Sequence, residues 1–339
     1  MSNIRQKHYT IPVFVPEHGC PFQCVFCNQQ KISGSLKIPT PEEVDNLIRE
    51  YLTTIPWKKS YVEIGFFGGN FTGIKKAEQE SYLKVALPYV EKGIIKSIRL
   101  STRPDYIDTE ILQLLKKYHV KTIELGAQSL DEGVLMASGR GHTVEDIIEG
   151  SGMVRSHGFA LGLQMMIGLP GDTLEKSKRT ARQIVALRAD NTRIYPTLVI
   201  RDTKLAEMYL SGDYLPLSLE VAVKWSKEVY KIFEKSGVNV IRLGLHPSEG
   251  LISGSELLAG PFHISFRELV MSQIWHDEFM KIKNIENKQS ITIFVASRQF
   301  NYAIGYEAGN RKALNKKYKN VRFIKDPELQ GREYYVDYC

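Results

Sequence analysis

The sequence predicts an α/β protein, a partial (β/α) barrel followed by a small basic α+β module. Three observations carry that expectation. Strand-like apolar runs alternate with helical stretches from residue 9 to about residue 246, which gives six or more βα units in series and hence a parallel sheet. The runs are near-continuously apolar, the pattern of strands covered on both faces. Positive charge is concentrated late in the chain: between Lys281 and Lys325 eleven Lys or Arg stand against two Glu, so this segment carries +9 while the whole chain carries +7.

The strand runs are Tyr9 to Val15, Tyr61 to Phe67, Ile94 to Leu100, Thr122 to Gly126, Ala160 to Ile167, Arg193 to Ile200 and Val238 to Leu245. The helix after the first is signed by Thr40-Pro41-Glu42-Glu43, a capping box with proline at the first helical position, ahead of Val44, Leu47, Ile48 and Tyr51 on one face. A later stripe, Leu219, Ala222, Trp225, Val229, Ile232 and Phe233, reads as core packing. In the basic region Ser290 to Ala296 reads as a strand, Gly305 to Lys312 as a turn into a helix, and Val321 to Lys325 as another strand. The chain thus divides into a barrel, residues 1–246, and a basic C-terminal extension, residues 247–339. With 43% hydrophobic and 24% charged residues the composition is globular, and no run approaches 18 apolar residues, so no membrane span is expected.

The chemistry is announced by Cys20-Pro-Phe-Gln-Cys24-Val-Phe-Cys27, placed directly after the first strand. Three thiolates in this C-x3-C-x2-C spacing can wrap one side of a cubic iron–sulfur cluster and leave its fourth iron without a protein ligand. Zinc is the competing reading, but it usually takes four Cys or His ligands and His18 is the only nearby addition. A disulfide framework fits poorly, because four cysteines in 339 residues without a secretory leader suit a reducing cytoplasm. Phe22 and Phe26 stand between the thiolates and could keep water from the sulfurs.

With that motif the sequence resembles the radical SAM superfamily, in which the open iron takes the amino acid end of S-adenosylmethionine and one electron from the cluster yields a 5′-deoxyadenosyl radical. The other motifs sit where the resemblance expects them. Gly68-Gly69-Asn70-Phe71-Thr72 follows the second strand and corresponds to the turn that grips the methionine end of the cofactor. Ser101 ends the third strand, Gln128 the fourth, Arg140-Gly-His-Thr follows a short helix, and Met166-Ile-Gly-Leu-Pro-Gly ends the fifth. By resemblance Ser101, Gln128 and Arg140 contact the SAM carboxylate and ribose, and Ile167, Gly168 and Leu169 lie where the adenine stacks. Relatives commonly carry Glu at the position of Ser101. A salt bridge from Arg103 to Asp105, or a surface role for Arg103 and Arg140, is the alternative reading. Tyr195, Arg193 and Arg201 bracket the sixth strand and are candidate substrate contacts, with simple packing as the alternative for Tyr195 beside Pro196.

Glu124-Leu-Gly-Ala-Gln-Ser-Leu-Asp-Glu-Gly, Arg193-Ile-Tyr-Pro-Thr-Leu-Val-Ile-Arg-Asp-Thr, Arg242-Leu-Gly-Leu-His-Pro and Leu258-Ala-Gly-Pro-Phe-His narrow the resemblance to the Elongator catalytic subunit, its radical SAM domain with the adjoining extension. That subunit adds an acetyltransferase domain. This chain stops at 339, so an acetyl-CoA-dependent product is not expected. Some radical SAM rRNA methylases use a cysteine outside the cluster as methyl carrier; Cys339 is the candidate here, with an inert frayed terminus as the alternative.

Two functions are expected from these readings. One is modification of a tRNA or rRNA base at an unreactive carbon, methylation included, with the basic extension binding RNA and Phe300, Tyr302, Tyr306 and Tyr318 offering stacking surfaces. The glycine-bounded turn at Gly305 would present backbone N–H groups to phosphate. The other is radical chemistry on a small metabolite or peptide, with the basic tail only solubilising. Both imply a cytoplasmic enzyme with an electron donor such as flavodoxin or ferredoxin.

Overall fold

In the computed structural model residues 6–15, 24–28, 38–282 and 289–338 are described. Among them, seven strands form one sheet in the order β1 (Lys7–Val15), β2 (Ser60–Gly68), β3 (Ser97–Thr102), β4 (Val120–Gln128), β5 (Ala160–Ile167), β6 (Asn191–Pro196), β8 (Asn239–Leu243). Every pair is parallel, so the sheet follows chain order and curls into a half-barrel. The crossovers are α1 (Pro41–Thr54), α2 (Lys76–Glu91), α3 (Thr109–Lys117), the pair α4 (Glu132–Ala137) and α5 (Val144–Ser156), then α6 (Leu174–Ala186), α7 (Lys204–Ser211) and α8 (Leu219–Lys235). The capping box of α1 forms as its sequence implies: Thr40 Oγ1 accepts from the Glu43 N–H at 3.2 Å, and Glu43 Oε2 accepts from the Thr40 N–H at 2.8 Å.

Strand periodicity sends alternate residues to opposite faces, and the two faces differ in kind. Ile11, Val13, Ile64, Phe66, Ile98, Leu100, Ile123, Leu163, Met165 and Ile194 are fully buried beneath the helices, against Val44 and Ile48 of α1, Leu83 of α2, Ile147 of α5 and Phe233 of α8. The other face carries Glu63, Arg99, Glu124, Gln164 and Arg193. The expectation that apolar strands are covered on both faces therefore holds for one face only. The concave face thus carries charges where helices are absent, and Glu63, Arg99, Glu124 and Arg193 pair with one another.

The sixth apolar run is also two elements. β6 ends at Pro196, which has no N–H to continue the ladder, and Thr197 turns its N–H to the Ile167 carbonyl at 3.0 Å. Val199–Ile200, β7, then pairs antiparallel with β9 (Leu257–Ala259), which follows the short helix α9 (Glu249–Ser253). The third strand begins at Ser97 because the N–H groups of Ile94 and Ile95 close the end of α2 on the Tyr89 carbonyl.

Helix α10 (Phe266–Phe279) serves two cores. Phe266, Val270, Met271 and Ile274 join the barrel core, while Trp275 and Phe279 pack on Ile291, Ile293 and Val295 of β10 (Ser290–Ala296). The short helices α11 (Phe300–Ile304) and α12 (Gly309–Leu314) lead to β11 (Asn320–Asp326), parallel to β10, and β12 (Tyr334–Tyr338) pairs antiparallel on its other side. The sequence reading did not include β12. Tyr334, Val336 and Tyr338 pack against this second core, an alternation visible in the sequence but short and tyrosine-rich.

Gly150 marks the tightest helix contact near the site, since a Cβ there would lie 2.8 Å from the Pro104 carbonyl oxygen. Gly150→Ala must push α5 away from the turn at Pro104–Tyr106, and we expect a loss of about 1–3 kcal/mol, read as a lower chemical-denaturation midpoint.

Candidate active site

Cys24 is buried and Cys27 half-buried, one turn apart, with the Cys27 N–H on the Cys24 carbonyl at 3.0 Å. The turn is tied to distant parts of the chain through one residue. The Val25 N–H donates to the Ser138 carbonyl at 3.0 Å, and the Val25 carbonyl accepts from the Leu205 N–H at 2.7 Å, so the end of α4 and the start of α7 both hold it. Val25 and Phe26 pack onto Val199, Leu205 and Tyr214. Phe26 thus acts as an anchor for the turn. Cys20, Phe22 and Cys339 lie outside the described residues.

The carboxyl ends of the strands converge on this turn. Arg140 is buried, donates from Nη1 to Cys24 Sγ at 3.1 Å and from Nη2 to the Gly126 carbonyl at 2.6 Å. Arg103 supports it from behind: its guanidinium is bidentate on Asp105 at 2.9 and 2.8 Å, and its Nη1 donates to the Arg140 carbonyl at 2.9 Å. The salt-bridge alternative is therefore the one that describes Arg103, whereas Arg140 points at sulfur. Gln128 ends β4 with a φ of 65°, and its Oε1, like Arg140 Nε, is buried with no hydrogen-bond partner among the described residues. An orphaned atom on the arginine that donates to Cys24, and a second on Gln128, whose side chain like that of Arg140 lies against Gly126, fit an iron–sulfur cluster with a polar cofactor next to it.

The turn after β2 is rigid. Asn70 Oδ1 accepts from Thr102 Oγ1 at 2.6 Å and from the Arg103 N–H at 3.2 Å, and Gln79 Nε2 donates to the carbonyls of Thr72 and Ile74. Gly68 has a φ of 134°, and a Cβ there would fall 1.9 Å from the Val15 carbonyl oxygen. Its bare Cα is thus already required by the neighbouring strand, apart from any ligand. Gly69 follows it, partly exposed. At the end of β5, Gly168 has a φ of 75°, its N–H is held by Asp172 at 2.9 Å and its carbonyl by the Tyr214 hydroxyl at 2.6 Å. Ile167 packs in the barrel core and Leu169, just past β5, is buried too, at 0% and 2% exposure, while the neighbouring Met166 is half-buried.

Below the rim lies a charge network that the sequence reading missed. Glu124, 1% exposed, accepts from Arg193 Nε at 2.5 Å and Nη2 at 2.9 Å and from Arg99 Nη1 at 2.6 Å. Arg99 Nε also pairs with Glu63 at 2.8 Å, and Glu63 takes Thr10 and His8 on β1. Gln164 Nε2 donates to both Ser101 Oγ at 3.1 Å and Glu124 at 3.2 Å. Burial disfavours the charge on Glu124, but Arg193 and Arg99 outweigh it and hold the carboxyl below its ordinary range. Burial likewise opposes the charge on Arg193, and Tyr195 and Glu124 reverse the effect and raise its pKa. Arg193 therefore spends its fork on Glu124, leaving Nη1 3.5 Å from the Tyr195 hydroxyl, with its guanidinium carbon 5.1 Å from the Phe67 ring centroid. Arg201 is not brought into this group; it is exposed and donates to the Ser255 carbonyl at 2.9 Å. The missed signal was Glu63, Arg99, Glu124 and Arg193 each standing alone inside an apolar run.

Known proteins resemble the chain over both parts of this architecture. The model of the radical SAM superfamily matches residues 14–184, and that of the Radical_SAM C-terminal domain matches residues 189–276. An uncharacterized protein of Methanocaldococcus jannaschii is 31% identical over 229 residues, which span 64% of this chain and 69% of that one. A tRNA uridine(34) acetyltransferase of Methanocaldococcus infernus is 27% identical over 52% of this chain, but the match spans only 36% of that protein. In structure, archaeal Elp3 of the same organism superposes with a TM-score of 0.63 at 20% identity, covering 82% of this chain and 65% of that one, a shared fold. Homology to the Elongator group is thus borne out. Among the described residues no helix is long and apolar enough to cross a membrane.

Two outcomes test the geometry. Glu124→Gln leaves Arg193 without a countercharge and Arg99 with Glu63 alone, and we expect a loss of about 3–5 kcal/mol in unfolding free energy by urea titration. His142 is neutral in the fold, its pKa lowered from 6.5 to about 3 by burial and then by Arg140 and Arg103. Below pH 6.5 the unfolded chain gains a proton that the folded chain refuses, so this residue costs stability as pH falls toward 3. His142→Gln should shrink the difference in stability between about pH 7 and 5.5 by roughly 1 kcal/mol.

Proposed function

Because the chain belongs to the radical SAM superfamily, whose members use a 4Fe–4S cluster and S-adenosylmethionine, we propose that it modifies a base of tRNA or rRNA at an unreactive carbon. The observation that carries the choice of RNA is a run of exposed cations on α12 and the turn after it. Arg311, Lys312, Lys316, Lys317 and Lys319 are all exposed, and none has a carboxylate partner among the described residues. Exposed lysines elsewhere are either paired, as Lys84 is with Glu80 and Lys204 with Glu207, or scattered in ones and twos, as Lys58 and Lys121 are, whereas here five cations stand between residues 311 and 319. Unpaired cations in sequence are free to release counterions to a phosphate backbone. The M. infernus relative, named for a tRNA uridine, lends the same direction.

The basic surface works through side chains. The turn at Gly305 keeps its amides for itself: the Tyr306 N–H donates to Ser272 Oγ at 2.8 Å and the Ala308 N–H to the Gly305 carbonyl at 2.9 Å. Of the four aromatics, Tyr318 is core and Phe300 and Tyr302 are packed, which leaves Tyr306 exposed for stacking.

When bound, cluster and SAM supply a 5′-deoxyadenosyl radical that takes hydrogen from carbon centres beyond the reach of acid–base chemistry. In this reading Cys20, Cys24 and Cys27 hold the cluster, and Arg140 adds a hydrogen bond to the Cys24 sulfur. Gly68, Gly69, Ser101, Gln128 and Arg140, with the backbone of Ile167, Gly168 and Leu169, hold SAM at the rim. The Glu124 network lines the barrel floor with charges that satisfy one another. Tyr195 faces the substrate, and Arg193 holds it in place. Reduced flavodoxin or ferredoxin is the proposed electron source.

The test is anaerobic incubation of the reconstituted enzyme with methyl-labelled SAM, reductant and total RNA, followed by nucleoside mass spectrometry. We expect a new modified nucleoside, abolished in Cys24→Ala and Cys27→Ala; label in it would identify methylation and make Cys339→Ala the next variant. Deoxyadenosine formed without RNA dependence and without a new nucleoside would overturn the reading in favour of a small substrate. Replacing Lys316, Lys317 and Lys319 by Gln should weaken RNA binding and lower its salt slope by about 2–3.

A further inference from the structure

The concave face of the half-barrel is not electrically balanced. Among the described residues it carries three guanidiniums, on Arg99, Arg193 and Arg242, and two carboxylates, on Glu63 and Glu124. Arg99 and Arg193 consume both carboxylates. Arg242 is left over. In the parallel ladder it is the register partner of Arg193, and side chains paired in register share a face, so it points to the same interior.

Its surroundings give it no countercharge. Arg242 Nε lies 3.4 Å from the Gly244 carbonyl, and Nη2 lies 3.1 Å from His246 Nδ1, both neutral acceptors, and it forms no ion pair among the described residues. Burial, opposed by Tyr195 and reinforced by Arg193, pushes its pKa down, the direction expected of a cation short of an anion. A half-buried guanidinium held by only two weak acceptors keeps donors to offer, and its planar fork matches an oxyanion. It sits near the carboxyl end of β8, beside Tyr195, at the end of the strands where half-barrel sites are built.

We propose that Arg242 is the anion-recognition residue of the substrate site and takes a phosphate oxygen of the nucleotide whose base enters the half-barrel. The proposal rests on the RNA reading above for the identity of the anion, and on the charge imbalance for its place. Arg242 lies on the last strand of the sheet and shares its interior face with Arg193, so a nucleotide fixed there by its own phosphate is held at that flank of the half-barrel.

The experiment uses the full chain and fluorescence anisotropy with a short uridine-containing single-stranded RNA, titrated over a range of salt. Arg242→Gln is expected to weaken binding about tenfold and to lower the salt slope by about one, with Arg242→Lys recovering part of the loss. SAM affinity, measured alongside by calorimetry, is expected to stay unchanged. Unchanged RNA affinity and slope in Arg242→Gln would overturn the proposal, and so would an equal loss of SAM affinity, which would assign Arg242 to the cofactor carboxylate. If the unsubstituted chain binds no RNA, the RNA reading falls, and the site is then read with uridine 5′-monophosphate against uridine by ligand-observed NMR. A preference for the monophosphate that disappears in Arg242→Gln would keep the oxyanion site, and no preference would remove it.

Discussion

Everything on the concave face depends on Glu124. Among the described residues it is the one carboxylate that two guanidiniums from different strands share, and β3, β4 and β6 meet on its two oxygens. A half-barrel has an inner wall that no helix covers, so its side chains must satisfy each other or be wet. Here Glu63, Arg99, Glu124, Arg193 and Gln164 satisfy each other in one connected set, and Arg242 stands outside it. Such a set is costly to break and narrow in geometry, which suits a floor beneath a reactive site better than it suits raw stability.

The rim is built by a similar principle, in which each functional group is held by a residue with no chemistry of its own. Arg103 holds the Arg140 carbonyl, Asn70 holds the ends of β3 and the glycine turn together, and Asp172 with Tyr214 holds Gly168 from both sides. These supports are side chain to backbone contacts for the most part. They fix the path of the main chain and leave the inward side chains to vary with the chemistry.

How much of this was legible in the sequence follows from the range of each interaction. The strands and the first capping box were readable because their causes are local: apolar runs, and Thr40 three residues before Glu43. The Cys turn was readable because spacing alone dictates it. The break of β6 was half-visible, since Pro196 stood in the run and the pairing of Val199 with Ala259 did not. The ion network was invisible because its partners lie 25 and 69 residues apart, and a lone Glu or Arg within a strand reads as noise until the register brings it opposite a partner. Side-chain direction misled in one place. Ile167 matches a binding motif by position, but the pleat turns its side chain into the core and sends Met166 to the other face.

The two hydrogen bonds of Val25 carry a consequence for biosynthesis. The Cys turn takes its shape from Ser138 and Leu205, groups that emerge from the ribosome long after it. Contacts of such long separation form late in folding. The nascent N-terminal segment therefore carries its cysteines well before the groups that shape their turn, and the turn takes its final form only once the sixth strand and α7 are in place.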